Sequence, residues 1–476
     1  MARRTHPWLV SGLLALAAAV PYLSASLSRY RLVSLPQAER IFGGPFTGRP
    51  SVPVWEPLVT LEDEPGPSKQ EPAPSVGRKA QEAPVLSLDA VPEGPVLEDP
   101  AHALQAFHEA LARSERGQGI VRVSHFGDSP VTGDLISGES RARFQRIYGN
   151  AGHGWILPGR PWEWYGHLGV TLSDEGWTIN TLVTPGRRDR AYGFGGASFT
   201  SRGGGVTRLA TARTSPFDRL EIHYLAHPGG GSLQVKVDGE IHELSTRREE
   251  AGPAFESFSL AEDKAHSVTL RAEGDGEVVL YGMVLERDTH GVVYDALGAN
   301  GAAIHHLSLM SEASWVSALK LRRPDLVILA FGTNESGYAN IPGPAYERDY
   351  RRVIARIREA LPGVSILIMA PMDRAERNAA GEIATMPSIP RIVEAQRRLA
   401  LETGCAFFNT YLAMGGDRSA YRWYKVSPRL MTGDFTHPTR SGADRVARLL
   451  VEALRAPEAG PAASGRAELE RPAGEP

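Results

Sequence analysis

The order of strand and helix patterns along the chain limits its fold more than any other feature. Strand and helix patterns alternate in two stretches, and a long stretch of strand patterns alone separates them. From residue 291 onward, apolar runs at 325–331 and 364–369 alternate with segments of helical spacing. A fully apolar run of this length is typical of a strand buried in a parallel sheet. Strands that alternate with helices predict a right-handed sheet covered on both faces. Residues 100–148 show the beginning of the same pattern, and the apolar spacing predicts helices at 135–148 and 307–321.

The intervening residues 165–288 have a different periodicity. Apolar and polar residues alternate in short runs such as 220–224 and 233–237, and glycine-rich turns separate these runs. Several short strands with no helix between them are typical of a β-sandwich. We therefore predict a three-layer α/β/α sandwich with a mostly parallel sheet, built from residues 100–164 and 289–455. An all-β sandwich would be inserted into it at 165–288.

Both ends of the chain have compositions that argue against a packed core. Residues 1–30 combine two early arginines with an apolar run at 8–25, as in a signal peptide or an N-terminal membrane anchor. Residues 43–99 and 456–476 are rich in Pro, Glu and small residues, which predicts a disordered linker and a disordered tail. The expected location is periplasmic or in the cell envelope, with signal cleavage and membrane anchoring both open.

The overall composition excludes several classes of partner and site. A chain of 476 residues with a formal net charge of -3 lacks the basic excess typical of nucleic-acid binding. Its single cysteine, Cys405, rules out an intrachain disulfide and a cysteine-based metal site. Cys405 lies in an apolar run, which favours a buried thiol without a redox role. We expect neither a metal nor a cofactor.

A short polar motif follows the first predicted strand of the α/β region. Residues 120–123 form the apolar strand pattern, and residues 125–130 continue it with His-Phe-Gly-Asp-Ser-Pro. A serine at the carboxyl end of a strand has its hydroxyl exposed where α/β folds form their ligand crevice. Its backbone N–H can also face a developing oxyanion. Ser129 is therefore a candidate nucleophile, although Gly-Asp-Ser alone is also a common turn sequence.

Three further polar segments are expected at the same edge of the sheet. They are residues 298–302 (Gly-Ala-Asn-Gly-Ala), 332–335 (Gly-Thr-Asn-Glu) and 434–438 (Asp-Phe-Thr-His-Pro). Acyl transfer needs a nucleophile, a base that takes and returns its proton, a group that holds this base, and donors for an oxyanion. Together with Ser129, the three segments supply one candidate for each role.

Four sets of residues resemble, in this order, the four sequence blocks of the SGNH (GDSL-type) hydrolases: Gly127-Asp128-Ser129, Gly301, Gly332-Thr333-Asn334, and Asp434 with His437. Within that superfamily, the β insertion and the Asn-Gly-Ala sequence at 300–302 are similar to exported bacterial peptidoglycan O-acetylesterases. The resemblance spans about residues 100–455. Pro130 departs from the family pattern, in which the first block more often continues with Leu, Ile or His.

The resemblance implies a role for each of these residues. Ser129 would be the nucleophile, His437 the general base, and Asp434 the carboxylate that orients the imidazole. The backbone N–H groups of Ser129 and Gly301 and the side-chain amide of Asn334 would form the oxyanion hole. The residue types suit these roles, because an imidazole titrates near neutral pH and can both accept and return a proton.

Two aromatic residues that shortly precede Asp434 are a further prediction. Trp423 and Tyr424 would line the substrate cleft.

The function predicted from these observations is that of a serine esterase. It would remove short acyl groups, acetyl first among them, from cell-wall or other extracytoplasmic polysaccharide such as peptidoglycan, through an acyl-enzyme on Ser129. One alternative is a polysaccharide O-acetyltransferase with the same site, which would need a membrane acyl-donor protein as partner. Another is a non-catalytic glycan-binding protein that works through the β insertion.

Overall fold

The computed structural model describes residues 94–184, 189–261 and 264–455. The predicted signal or anchor at 1–30, the tail at 456–476 and most of the predicted linker lie outside these residues. Among the residues that are described, no helix has both the length and the apolar character needed to cross a membrane.

The described helices are α1 (Gln105–Glu115), α2 (Ser129–Thr132), α3 (Leu135–Tyr148), α4 (Ile304–Ser308), α5 (Glu312–Arg322), α6 (Pro344–Ala360), α7 (Ser388–Glu402), α8 (Thr410–Ala413), α9 (Ser419–Lys425) and α10 (Arg440–Leu454), with a 3-10 turn at Glu335–Gly337. The described strands are β1 (Leu97–Glu98), β2 (Ile120–Gly127), β3 (Gly152–Ile156), β4 (Val170–Glu175), β5 (Thr178–Thr181), β6 (Ala197–Ser201), β7 (Val206–Thr211), β8 (Arg219–Ala226), β9 (Ser232–Val237), β10 (Glu240–Ser245), β11 (Gly252–Ser259), β12 (Ser267–Ala272), β13 (Val278–Glu286), β14 (Gly291–Gly298), β15 (Leu326–Ala330), β16 (Ser365–Met369), β17 (Ala375–Arg377), β18 (Ile383–Thr385) and β19 (Ala406–Phe408).

One six-stranded sheet forms the centre of the α/β part, in the order β1-β19-β16-β15-β2-β14. The pairings from β14 to β19 are parallel, and β1 runs antiparallel to β19. Strands β15 and β16 are apolar and buried along almost their whole length, so both faces of the sheet need cover. Helices α5, α6 and α7 contribute to the apolar core on one face, and α1, α3 and α10 to that on the other.

The helices follow the apolar spacing of the sequence, with one break. The helix predicted at 135–148 is confirmed as α3. The single helix predicted at 307–321 is instead two helices, α4 and α5. Ser311 causes the break, because its side chain accepts the Ser314 N–H and so caps the start of α5. Cys405 is buried, as predicted.

The N-terminal end of the described chain corrects the linker prediction. The composition predicts a disordered segment through residue 99, but Leu97 and Glu98 pair with β19 as the edge strand β1. The Glu98 carboxylate also accepts hydrogen bonds from Arg397 Nε and Nη2, each at 2.7 Å. The linker prediction is therefore wrong for these residues, since backbone pairing and an ion pair hold them against the sheet.

The inserted region contains two antiparallel sheets that share one apolar core. One sheet has the order β10-β9-β12-β7-β4 and the other β11-β8-β13-β6-β5. Inward-facing residues of both sheets, such as Leu209 and Leu280, are fully or almost fully buried between them. Strand β3 pairs with β13 in the second sheet. This sheet therefore begins at Gly152, earlier than the boundary predicted at residue 165.

Candidate active site

The turn after strand β2 places Ser129 at the start of helix α2. The turn is tight at Gly127, where a Cβ atom would lie 2.6 Å from Val131 Cγ2 and 3.0 Å from Ala330 O. Only glycine allows this close approach. The Ser129 Oγ lies 2.9 Å from His437 Nε2. The structure thus brings together a hydroxyl and an imidazole that are 308 positions apart in the sequence.

His437 lies in the loop before helix α10, and Asp434 contacts it from the same loop. The Asp434 Oδ2 is 2.6 Å from His437 Nδ1. The other oxygen, Oδ1, accepts hydrogen bonds from Thr432 Oγ1 at 2.6 Å and from the backbone N–H groups of Thr436 and His437 at 2.9 and 3.0 Å. These contacts fix the orientation of the carboxylate and, through it, that of the imidazole.

The hydrogen bonds also set the protonation states of the pair. Burial acts to raise the pKa of Asp434, but the hydrogen bonds from His437 and Thr432 outweigh it and lower that pKa below its ordinary value. The hydrogen bond to Asp434 raises the pKa of His437 against the opposing effect of burial. A neutral His437 that donates from Nδ1 has Nε2 available to accept the Ser129 proton. Its side chain is 43% exposed, so water and substrate can reach it.

Gly301 and Asn334 lie in the loops that follow strands β14 and β15, the two neighbours of β2 in the sheet. Both loops therefore flank the Ser129 turn. Gly301 has φ +77, in the region that favours glycine. The Asn334 Nδ2 donates to Ala302 O at 2.8 Å, which joins the two loops. An amide nitrogen carries two hydrogens, so this contact orients the amide and leaves its second N–H for another acceptor.

Glu335 is a buried residue to which the sequence analysis gave no role. Its Oε1 accepts the Ile304 N–H and its Oε2 accepts the Gly332 N–H, both at 2.9 Å. Ile304, the first residue of α4, ends the loop that carries Gly301, and Gly332 precedes Asn334 in the other loop. Glu335 therefore ties together the two loops that carry the predicted oxyanion donors. Burial raises its pKa to about 7, against the effect of these backbone hydrogen bonds.

Asp128, next to Ser129, is a second buried carboxyl group beneath the site. Only 3% of this residue is exposed. Burial raises its pKa to about 6, while Thr333 and His437 act in the opposite direction. Asp128 and Glu335 each lie next to a predicted site residue in the sequence, and this is the sequence signal that points to them. The signal is weak, because their burial and partners depend on the tertiary fold.

One of the two aromatic residues predicted to line the cleft does not do so. Trp423 is only 1% exposed, and its Nε1 donates to Met414 O inside the core. The prediction for Trp423 is therefore wrong, because a buried indole cannot contact a substrate. Tyr424 is partly exposed and packs edge-on against Phe435, with 5.1 Å between ring centroids. It thus lies beside the loop that carries Asp434 and His437.

Comparison with known families agrees with this geometry. Residues 265–445 match the model of the GDSL-like Lipase/Acylhydrolase family. The chain carries a GDSL-like acylhydrolase domain. The matched range contains Gly301, Asn334, Asp434 and His437, and it leaves out Ser129, which lies before the β insertion. The acylhydrolase domain is that of an ester-hydrolysing enzyme.

One solved structure shows the same fold. A peptidoglycan O-acetylesterase structure superposes with a TM-score of 0.63 at 23% sequence identity, covering 76% of this chain and 98% of that one. A carbohydrate esterase family 2 enzyme with a carbohydrate-binding domain from Corynascus thermopiles (Myceliophthora fergusii) covers 53% of this chain and 93% of its own, at 14% identity and a TM-score of 0.26. The second overlap is too small to add to the first. No curated protein matches the chain.

Proposed function

We propose that this protein is a serine esterase that removes short acyl groups, and acetyl in particular, from polysaccharide of the cell envelope. The observation that carries the proposal is the chain of contacts from Ser129 Oγ through His437 to Asp434, at 2.9 and 2.6 Å. A hydroxyl, an imidazole and a carboxylate in this order activate the hydroxyl as a nucleophile. No cofactor enters the proposed reaction.

In the first half of the reaction, Ser129 Oγ attacks the ester carbonyl carbon while His437 Nε2 takes the hydroxyl proton. The negative charge that develops on the carbonyl oxygen would be stabilised by the backbone N–H groups of Ser129 and Gly301 and by the Asn334 amide. His437 then gives its proton to the sugar oxygen. The carbon–oxygen bond to the sugar breaks, and the acyl group remains on Ser129.

In the second half, water replaces the sugar. His437 takes a proton from this water, whose oxygen attacks the acyl carbon. The same donors hold the oxyanion. The bond to Ser129 Oγ breaks, the serine regains its proton from His437, and the free acid leaves. Asp434 stabilises the imidazolium in both halves, in keeping with its contribution to the raised pKa of His437.

The choice of substrate rests on the similarity to the peptidoglycan O-acetylesterase, whose chain is covered to 98%. Acylated polysaccharide, with peptidoglycan as the leading example, is therefore the proposed partner. We also propose a periplasmic or cell-envelope location, in keeping with the apolar run at 8–25.

The test compares the purified full-length protein with Ser129→Ala on O-acetylated peptidoglycan, with free acetate as the readout. We expect turnover to fall by on the order of 10⁶ in Ser129→Ala. Ser257→Ala, which changes an exposed serine of the β insertion, is the matched control and should keep the wild-type rate. Acetate release that persists in Ser129→Ala would refute the assignment of the nucleophile. Acetyl transferred to an added glycan would instead indicate the transferase, and binding without turnover a glycan-binding protein.

A further inference from the structure

Arg374 is a half-buried cation beside the predicted active site, and the mechanism above does not use it. Its Nη1 donates to Thr333 O at 3.0 Å and to Ser336 Oγ at 2.9 Å. Both acceptors belong to the segment that carries Asn334. The guanidinium is thus held in place by contacts of one nitrogen only.

The remaining donors of Arg374 have no protein acceptor in the described part of the chain. No described carboxylate pairs with the guanidinium, whose protein contacts are the two oxygens on the Thr333–Ser336 side. Nε and Nη2 are also not among the buried atoms that lack a partner, so they face solvent. A guanidinium offers five donors in a rigid planar fork, which matches the geometry of a carboxylate. Arg374 therefore presents a positioned and unused anion-binding group.

Arg374 lies between the turn that carries Asn334 and the loop that carries Asp434 and His437. Ala375, the next residue, donates its N–H to Phe435 O at 3.1 Å, and Phe435 follows Asp434. The positive charge of Arg374 acts to lower the pKa of His437. Arg374 thus lies at the border of the site, close enough to His437 for its charge to act on the imidazole.

An exposed aromatic ring lies on the same turn. A Cβ on Gly337 would lie 3.8 Å from Arg374 Nη1, and the next residue, Tyr338, is 44% exposed. The Tyr338 ring centroid is 6.4 Å from that of His305, which follows the Gly301 loop. Exposed tyrosine presents a flat apolar face with a polar tip. Such a face suits the C–H surface of a pyranose ring.

We propose that Arg374 and Tyr338 form a subsite for a carboxylate-bearing part of the glycan, with the tyrosine face against a sugar ring and the guanidinium on the carboxylate. This inference rests on the proposed function and makes it more specific, because it assigns an anionic polysaccharide as substrate. The carboxylate can belong to the sugar ring itself, as in a uronic acid, or to a substituent of the sugar, as in peptidoglycan.

The test uses the full-length protein and pairs of substrates that differ only in charge. O-acetylated peptidoglycan fragments are compared with the same fragments after conversion of their carboxyl groups to amides, and an acetylated polyuronate is treated in the same way. The variants are Arg374→Gln, Arg374→Lys and Tyr338→Ala. Arg377→Gln removes an equal charge from an exposed arginine nearby, which donates to Gly381 O, and is the matched control.

We expect the wild type to prefer the carboxylate form of the glycan. In Arg374→Gln the ratio of kcat/KM for the carboxylate form to that for the amide form should fall by about 10-fold or more, chiefly through KM. Arg374→Lys should keep part of the preference, Tyr338→Ala should raise KM for both forms, and Arg377→Gln should keep the wild-type ratio. The substrate with the larger ratio, peptidoglycan fragment or polyuronate, identifies the source of the carboxylate.

Two results would overturn the inference: a wild type that does not distinguish the two forms, or an Arg374→Gln variant that slows both by the same factor. The second result would make Arg374 only a structural support of the Asn334 turn. Binding of the deacetylated fragments is also measured for Ser129→Ala and for the double variant Ser129→Ala/Arg374→Gln. This comparison tests the subsite even where no acetate is released. Failure of the proposed function, seen as no Ser129-dependent turnover on any substrate, is thereby distinguished from failure of the subsite.

Discussion

Replacing Glu335 by Gln should make the protein more stable at high pH and yet less active. Gln has nearly the shape of a protonated Glu and, like it, offers one good acceptor oxygen. At low pH, where the carboxyl group is protonated in both the folded and the unfolded chain, we expect wild type and Glu335→Gln to have similar free energies of unfolding. The difference appears as the pH rises.

The magnitude follows from the pKa of Glu335, which burial raises from 4.5 to about 7. Above pH 4.5 the unfolded chain loses this proton while the folded chain keeps it, so the stability of the wild type falls until the pH passes 7. At about 1.4 kcal/mol for each pKa unit, the loss reaches about 3 kcal/mol. Glu335→Gln has no proton to lose, so its free energy of unfolding should exceed that of the wild type by about 3 kcal/mol at pH 8.

The expected loss of activity has a different cause. Ionised Glu335 accepts the N–H groups of both Ile304 and Gly332, whereas Gln can accept only one and turns its own N–H toward the other. One anchor between the Gly301 and Asn334 loops is lost. A misplacement of about 1 Å in a site can cost about 100-fold in rate, so we expect kcat at pH 8 to fall between about 10-fold and 100-fold with little change in KM.

Urea unfolding at pH 5 and pH 8, with acetate release measured at pH 8, checks both expectations. Glu376→Gln, at an exposed glutamate of β17, is the control and should follow the wild type at both pH values. The reasoning is refuted if Glu335→Gln loses stability at pH 8 relative to the wild type. It is refuted as well if the variant keeps full kcat, since Glu335 would then not hold the loops.

Three further predictions concern the site and its support. Asn334→Ala should lower kcat by about 10² to 10³ while the thermal unfolding midpoint stays near that of the wild type; an unchanged kcat would exclude the amide as an oxyanion donor. The value of kcat/KM should fall at acid pH as His437 becomes protonated. The midpoint of this fall should lie above the ordinary pKa of histidine, because the pKa of His437 is raised. Arg322→Met should reduce the free energy of unfolding by about 3 to 5 kcal/mol, measured by urea unfolding at pH 7, because it leaves the buried carboxylates of Asp295 and Glu286 without their shared cation. A loss below about 1 kcal/mol would show that the remaining arginines compensate.

Three of the residues brought together at the site could be predicted because each follows a strand with a recognisable apolar pattern. Ser129, Gly301 and Asn334 follow β2, β14 and β15, which are neighbours in the sheet. The sequence shows where each strand ends, and the rules for parallel sheets place these ends on one edge. The contact between His437 and Ser129 needed the order of the four motifs as well, since no local pattern relates the two residues.

The errors concern features that depend on tertiary partners. Trp423 was expected in the cleft because its sequence position is close to Asp434, but its burial is set by the packing of α9 against the core and by the Met414 carbonyl. Glu335 binds the backbone of Ile304, 31 residues away, and Arg374 binds Thr333 O and Ser336 Oγ, about 40 residues away. No local sequence pattern indicates such contacts. Strand β1 is two residues long, too short for any periodicity to reveal it.

The β insertion can lie within the hydrolase part because it joins that part at the edge of the sheet away from the active site. The chain leaves the α/β part after α3 and returns at β14, and these two points are adjacent, since Val292 N donates to Gly149 O at 2.9 Å. This edge is opposite to the one that carries Ser129, so the insertion does not interrupt the loops of the site.

The insertion is nevertheless part of the same core, because Phe194 packs edge-on against Phe126 of β2, with 5.2 Å between ring centroids. A Cβ on Gly301 would also lie 3.6 Å from Val183 Cγ1 of the insertion. The insertion therefore contacts a predicted oxyanion loop directly, and its removal should alter the site as well as any binding of glycan by the insertion itself.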